Sequence, residues 1–315
     1  MQILFILNSY SGNRTIHTLR AKIERWATER GIAYQIRMLP LQKNEELFNS
    51  VESYSLLIIG GGDGTISSTV GKLATLKDVK IPPLAFIPLG TGNDLCRELG
   101  LLKCWSNNSP ESYLDAILKG STSSLSVCQW NQQANGGLFT NYLSIGFDSA
   151  VVKGFQESQW RDSRILSPLG RSGNRIAYFI EGLRKAGTVL PPIEVYSPDD
   201  ANLNMEIRNA AGILITNIKS YLGLGTSSPI SNPHDNLIEL VVFPSCFSYA
   251  SCMVPNIELL KPKVLGSAQR WNIRGLGSSQ NNTVLPIQCD GDLMGNVVKG
   301  ELSVSVLKSV TLQLP

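Results

Sequence analysis

The fold of this chain is decided by Ile58-Ile59-Gly60-Gly61-Gly62-Asp63-Gly64-Thr65, which joins an apolar strand to a glycine turn and a helix start. A second stretch of the same kind follows, Pro88-Leu89-Gly90-Thr91-Gly92-Asn93-Asp94. In each stretch, backbone N–H groups and the dipole of the following helix can face an anion. A glycine run can also be only a tight turn, but a tight turn does not explain the same pairing with an Asp twice. The two stretches together therefore predict a polyphosphate site.

Strands and helices alternate around these turns. Apolar strands are predicted at 2–7, 33–39, 56–59 and 84–87, and a helix with one apolar face is predicted at 15–30. This alternation is typical of a doubly wound parallel sheet, in which ligands bind beyond the carboxyl ends of the strands. The loop at 8–12 and both glycine turns are therefore expected to meet at one edge of the sheet.

The pattern changes near residue 125 to short β-rich runs separated by turns, which predict a mostly antiparallel domain, a β-sandwich or a strongly curved sheet. The predicted fold class is thus α/β plus β. The expected domains are an α/β nucleotide domain at 1–124, which the C-terminal strand 302–315 can join, and a β-rich domain at 125–301.

Composition and motifs exclude several classes of protein. A net charge of +3, with no Lys/Arg run, argues against a nucleic-acid partner. Six scattered cysteines and two histidines argue against zinc, iron–sulfur and disulfide frameworks and indicate reduced thiols in a cytoplasmic protein. No apolar run reaches about 18 residues, so no transmembrane segment is expected. Neither glycine stretch matches the P-loop or the dinucleotide fingerprint, which disfavours a P-loop NTPase and a Rossmann dehydrogenase.

Several segments resemble the diacylglycerol kinase catalytic-domain family, and the resemblance covers nearly the whole chain. Gly61–Thr65 is similar to the nucleotide-binding signature shared by diacylglycerol kinases, sphingosine kinases, NAD kinases and phosphofructokinases. Pro88–Arg97 is similar to the second signature of the diacylglycerol kinase catalytic domain. Asn141–Asp148 and Ser172–Phe179 resemble segments of that family's second domain.

The resemblance implies an ATP site built from three loops. The first loop contacts ATP and has Ser9 where Pro is usual; it consists of Asn8, Ser9, Tyr10, Ser11 and Gly12. The phosphate loops are matched by Gly61, Gly62, Asp63, Gly64 and Thr65 and by Gly90, Thr91, Gly92 and Asn93.

The resemblance also implies roles for several carboxylates. Asp63 and Asp94 match acidic residues that organise the catalytic magnesium through water. Asp290 and Asp292 lie in a late segment that ends in the proton acceptor, usually Glu, and the resemblance makes both of them candidate catalytic residues. Asp292 or Asp63 would take the hydroxyl proton. A structural magnesium loop is matched by the Asp235 side chain and the carbonyls of Asn232 and Leu237, with Asn236 where Gly is usual. The alternative is that Asp235-Asn236 is simply a hairpin turn.

The implied function is an ATP- and magnesium-dependent lipid kinase that moves the γ-phosphoryl group to the hydroxyl of a lipid alcohol, with diacylglycerol as the first candidate. The β-rich domain would hold the lipid, and the cytoplasmic enzyme would visit the membrane surface as a peripheral protein. Two alternatives stay open, an NAD kinase and a non-catalytic nucleotide- or lipid-binding regulator. The sequence does not decide the acceptor or the oligomeric state, for which a homodimer is one option.

Overall fold

The computed structural model of the chain describes all residues except 12–15, 41–47, 49, 158–179, 183, 222, 224, 253–260 and 277–284. Two features of the sequence prediction, Gly12 and Ser172–Phe179, lie outside the described residues. The chain divides into two units by its internal contacts. The first consists of Met1–Val127, Pro233–Asp235 and Leu307–Pro315, and the second consists of Cys128–Asn232 and Asn236–Val306.

The first unit is built on a parallel sheet. Its strands are β1 (Gln2–Asn8), β2 (Ala33–Leu39), β3 (Leu56–Gly61) and β4 (Leu84–Pro88), in the order β2-β1-β3-β4. All three neighbouring pairs are parallel. The far end of the C-terminal strand, Leu302–Leu314, lies parallel to β4 with Leu312 opposite Leu84. The strand order reverses between β1 and β3, which is the switch point where doubly wound sheets bind ligands.

Helices cover both faces of this sheet, because strands of a parallel sheet are apolar on both faces and must be shielded on both. They are α1 (Ile16–Glu29), α2 (Asp63–Ala74), α3 (Asp94–Glu98), α4 (Leu101–Asn107) and α5 (Pro110–Lys119). Side chains of α1 and α5, including Trp26 and Tyr113, share one buried cluster with Phe5 of β1. Leu4 and Ile6, which point to the opposite face of β1, are buried as well.

Asp115 joins α1 to α5. Its carboxylate accepts hydrogen bonds from Trp26 Nε1 at 2.9 Å and from Arg30 Nε and Nη2, both at 2.7 Å. Partial burial acts to raise the pKa of Asp115, but the hydrogen bonds from Arg30 and Trp26 outweigh it and hold the pKa below its usual value. The two-pronged contact with Arg30 fixes the relative orientation of the two helices.

The second unit is mostly antiparallel. Its strands are β5 (Ser121–Gln132), whose first residues belong to the first unit, β6 (Asn135–Phe139), β7 (Tyr142–Gly146), β8 (Ile193–Ser197), β9 (Asp200–Ile207), β10 (Gly212–Thr216), β11 (Ser220–Tyr221), β12 (Gly225–Thr226), β13 (Ile238–Phe243), β14 (Lys263–Ala268), β15 (Arg270–Arg274), β16 (Pro286–Cys289), β17 (Asp292–Asn296) and β18 (Leu302–Leu314). Two helices follow strands, α6 (Phe147–Glu157) after β7 and α7 (Cys246–Ser251) after β13. One sheet runs β14-β13-β10-β7-β16-β17, and the other contains β18-β15-β8-β9 with β5 and β6.

One buried cluster joins the two sheets of the second unit. It contains Leu143 and Ile287 from the first of these sheets and Val195 and Trp271 from the second. Two sheets that share one apolar core form a sandwich. The predicted fold class, a doubly wound parallel sheet plus a mostly antiparallel β-sandwich, is therefore confirmed. The division of function between 1–124 and 125–301 stays a prediction. No helix in the described part of the chain is long and apolar enough to cross a membrane.

Candidate functional site

The two glycine turns touch each other at the carboxyl end of the parallel sheet. The N–H of Leu89 donates to the carbonyl of Gly61 at 2.8 Å. A Cβ atom placed on Gly62 would lie 3.0 Å from the Cα of Gly90, and one placed on Gly90 would come even closer to Gly62. Because the two backbones pack in direct contact, glycine is required at both positions.

Each turn leads into a helix whose first residue is an aspartate. Gly62 is extended, with φ −92° and ψ −178°, and precedes Asp63 of α2. Asn93, with φ 54° in the left-handed region, precedes Asp94 of α3. Asp63 is half-buried and its Oδ1 accepts a hydrogen bond from the Leu95 N–H at 3.3 Å, whereas Asp94 is buried. Asp63 therefore ties the start of α2 to the first turn of α3.

The loop after β1 is fixed to α2 by Asn8. Asn8 Nδ2 donates to Thr65 Oγ1 at 2.7 Å, and Asn8 Oδ1 accepts from the Tyr10 N–H at 2.9 Å. Backbone hydrogen bonds hold the rest of the loop, from the Ser9 N–H to the Leu39 carbonyl at 2.9 Å and from the Ser11 N–H to the Asn8 carbonyl at 3.1 Å. The predicted convergence of the three loops is therefore confirmed.

A pocket of about 690 Å³ opens beside these loops. It is lined by Asn8, Tyr10, Leu39, Pro40, Phe48, Gly64, Thr65, Ser68 and Lys72. Four of these were among the predicted ATP-binding residues: Asn8, Tyr10, Gly64 and Thr65. The other described residues of that prediction belong to the loop after β1 or to the two glycine turns: Ser9, Ser11, Gly61, Gly62, Asp63, Gly90, Thr91, Gly92 and Asn93.

Ser68 and Lys72 were not predicted from the sequence. With Thr65 they lie three and four positions apart along α2, on one helix face. Most of the helix is otherwise buried: Ile66, Ser67, Thr69, Val70, Gly71, Leu73 and Ala74. The sequence pattern that predicts them is a set of polar residues three and four positions apart, which begins directly after the glycine turn.

Asp290 anchors the hairpin between β16 and β17. Asp290 and Gly291 form its two-residue turn with φ values of 51° and 93°, the geometry that an Asp-Gly pair favours. The Asp290 carboxylate accepts the N–H groups of Thr140 and Tyr142 at 2.9 Å and of Asn141 at 3.0 Å. It therefore fixes the hairpin to the start of β7. Asp292 follows as the exposed first residue of β17. The catalytic roles of Asp290 and Asp292 stay predictions.

The predicted magnesium turn precedes β13. Its three predicted ligands are Asn232, Asp235 and Leu237. Asn236 has φ 62°, the left-handed conformation expected where Gly is usual. The His234 carbonyl accepts a hydrogen bond from Ser124 Oγ at 3.0 Å, which ties the turn to β5. Among the described residues, no three His, Cys, Asp or Glu side chains form a metal cluster. Magnesium needs only one or two carboxylates with other oxygens, so the role of this turn stays a prediction.

Two family models together match most of the chain. The model of the diacylglycerol kinase catalytic domain matches residues 2–130, and the model of the diacylglycerol kinase accessory domain matches residues 138–293. The chain belongs to the diacylglycerol kinase catalytic-domain family. This family is one of lipid kinases, as the sequence resemblance implied.

Curated relatives of this diacylglycerol kinase-family chain align with only part of its sequence. A Caenorhabditis elegans protein named "putative diacylglycerol kinase" is 29% identical over 53% of this chain and 19% of its own length. Sphingosine kinase B of Dictyostelium discoideum is 31% identical over 40% of this chain and 17% of its own. The chain therefore spans less than a fifth of either relative. A solved Bacillus anthracis structure described as a "putative diacylglycerol kinase" has a TM-score of 0.68 at 18% identity, covers 100% of this chain and 95% of its own, and supports the fold.

A buried carboxylate in the accessory region was also missed by the sequence analysis. Asp148, in the first turn of α6, is 6% exposed. Ser144 Oγ lies 2.8 Å from Asp148 Oδ2 and 2.8 Å from Gln288 Oε1. One hydroxyl proton cannot serve two acceptors, so either a proton on Asp148 or the opposite orientation of the Gln288 amide completes this group of contacts. Burial raises the pKa of Asp148, and the hydrogen bonds from Ser144 and Tyr221 offset only part of this effect.

We predict that Gly90→Ala destabilises the first unit, because the added methyl group meets the backbone of Gly62. The expected loss is about 1–3 kcal/mol in the free energy of unfolding, as for other overpacked sites. Urea denaturation measures it. The control is Gly187→Ala, because a Cβ there meets open space among the described residues. A Gly90→Ala variant as stable as the control would contradict the close contact of the two turns.

We predict opposite pH dependence for two Asp→Asn variants. Wild-type Asp148 binds its proton more tightly when folded, so its contribution to stability falls as pH rises above the ordinary carboxyl pKa of about 3.9. The stability of Asp148→Asn relative to wild type should therefore rise between about pH 4 and pH 7.

Asp115→Asn is the matched comparison, because the folded protein lowers the pKa of Asp115. The stabilisation by ionised Asp115 is present above the unfolded pKa and is lost as pH falls through the folded pKa. Asp115→Asn should therefore cost most near neutral pH and least in acid. Urea denaturation across this pH range measures both variants, and parallel profiles would contradict the raised pKa of Asp148.

Proposed function

We propose that this chain is an ATP- and magnesium-dependent lipid kinase that transfers the γ-phosphoryl group to the hydroxyl of a lipid alcohol, with diacylglycerol as the first acceptor. The direct contact between Gly62 and Gly90, beside a pocket and the start of α2, carries the proposal. Phosphoryl transfer depends mainly on positioning and on neutralising charge, and the family membership of the chain supports a lipid acceptor.

The proposed ATP site uses the start of α2. The first N–H groups of a helix have no partners within the helix, and the helix dipole adds partial positive charge there. Glycines at 62 and 90 would let phosphate groups approach the backbone. The hydrogen bond from Asn8 to Thr65 holds the first loop against the start of α2. The pocket volume of about 690 Å³ lies within the range of about 300–1,000 Å³ typical of small-molecule sites.

The proposed magnesium site fits the carboxylates that the structure provides. Asp63 and Asp94 start neighbouring helices, and the contact from Leu95 orients the Asp63 carboxylate. Oxygen ligands of this kind suit magnesium, which when bound would neutralise charge on the phosphates. Asp235, with the carbonyls of Asn232 and Leu237, is proposed to hold a separate structural ion.

The proposed acceptor site belongs to the β-rich part of the chain. Asp292 is the proposed proton acceptor for the lipid hydroxyl, with Asp63 as the alternative. The role that we assign to Asp290 is to position the hairpin that carries Asp292. Because the substrate is a lipid, we expect the protein to work at a membrane surface from the cytoplasm.

The match to sphingosine kinase B favours a sphingoid base as the second candidate acceptor. The match of the accessory-domain model over 138–293 favours a lipid over NAD as the acceptor.

The proposal is tested by supplying γ-labelled ATP to the purified protein with separated lipid classes and with NAD, with and without magnesium. We expect label in diacylglycerol only when magnesium is present. Asp63→Asn should lower kcat by about a hundredfold or more, since it removes a charge and keeps the volume. The control is Asp199→Asn, which makes the same change at an exposed residue outside the site.

Each alternative result of this assay would lead to a different conclusion. Label in a sphingoid base would change the acceptor, and label in NAD would make the protein an NAD kinase. ATP binding with no labelled product would indicate a non-catalytic regulator. Full turnover in Asp63→Asn would remove Asp63 from the magnesium site.

A further inference from the structure

The pocket beside the glycine turns has one charged side chain among its described lining residues, Lys72. Lys72 lies on the single open face of α2, with Thr65 and Ser68, while the neighbouring positions Gly71 and Leu73 are buried. The lysine side chain is exposed and therefore free to turn into the pocket. Lys72 can therefore reach a ligand in the pocket. Its positive charge is not balanced by a carboxylate among the described lining residues.

The pocket changes in character along α2. Its end at Asn8, Gly64 and Thr65 is polar and adjoins the start of the helix. Lys72 comes seven residues after Thr65, which is about 10 Å along the axis at about 1.5 Å per residue. The remaining walls contain apolar and aromatic side chains, from Leu39, Pro40 and Phe48.

The polar and the apolar parts of this lining match the two halves of a nucleotide. The start of α2 suits phosphate groups, since it presents N–H groups and partial positive charge. Apolar and aromatic side chains suit a base, which can stack on them. A lysine ammonium carries three donors and no acceptor, so at the edge of a base it recognises ring nitrogens or carbonyl oxygens.

We propose that Lys72 binds the base of the donor nucleotide and sets the affinity of the site for the nucleoside half of ATP. This inference rests on the proposed kinase function. Lys72 acts on nucleotide binding and not on transfer, because it lies about 13 Å along the axis from Asp63 at the start of α2, at about 1.5 Å per residue. Lys72 is therefore a specificity residue and not a catalytic one.

The test compares Lys72→Met with wild type by equilibrium binding to the full chain, using magnesium with ATP and magnesium with inorganic tripolyphosphate. We expect about a tenfold or greater loss of affinity for ATP, the usual size for a lost hydrogen bond from a charged group. Affinity for tripolyphosphate should change by less than about twofold, because tripolyphosphate has no base. In the lipid assay, KM for ATP should rise with kcat nearly unchanged.

The control variant is Lys77→Met, which removes the same charge from an exposed residue just beyond α2 that does not line the pocket. It should bind both probes as wild type does. Urea denaturation checks that both variants are folded.

Three results would overturn the inference: unchanged ATP affinity in Lys72→Met, equal losses for ATP and tripolyphosphate, or no ATP binding by wild type. The expected binding pattern without any lipid product would support the inference while removing the kinase function. Lipid phosphorylation with an unchanged KM in Lys72→Met would leave the kinase function and remove the inference.

Discussion

Backbone contact between Gly62 and Gly90 is the constraint on which the rest of the candidate site depends. The contact is possible because β3 and β4 are neighbouring parallel strands that end side by side, with Gly61 opposite Pro88. It brings the starts of α2 and α3 together, which allows Asp63 to accept a hydrogen bond from Leu95. Helix dipoles and carboxylates are then concentrated at the edge of the sheet where we propose that a phosphate chain binds.

Local sequence patterns predicted the parallel sheet and the loops of the site well, because a buried strand followed by glycine and a helix start is a short-range signal. The walls of the pocket were not predicted. Pro40 and Phe48 follow β2, and they reach α2 only because β2 and β3 lie on either side of β1. Lys72 was not predicted for the same reason, since tertiary structure and not its neighbours in the chain decides which residues lie around it in the pocket.

The β-rich unit shows a different limit of sequence reasoning. Family resemblance predicted a catalytic role for Asp290, which stays a prediction, but it did not predict that three backbone N–H groups donate to its carboxylate. The Asp-Gly pair is a strong local signal for the hairpin, but the partners of the carboxylate come from about 150 residues earlier in the chain. Asp148 looks like an ordinary acidic residue at a helix start, and only its burial reveals a carboxyl group with a raised pKa.

The C-terminal strand has a consequence for how the protein is made. Residues 307–315 belong to the first unit, and Leu312 of β18 pairs with Leu84 of β4. During translation, the ribosome must add more than two hundred residues after β4 before this partner emerges. Until then β4 presents an open sheet edge, which is the kind of surface that recruits other nascent chains. The parallel sheet is therefore complete only after β18 has been synthesised, and chaperone protection of the β4 edge would be valuable throughout that interval.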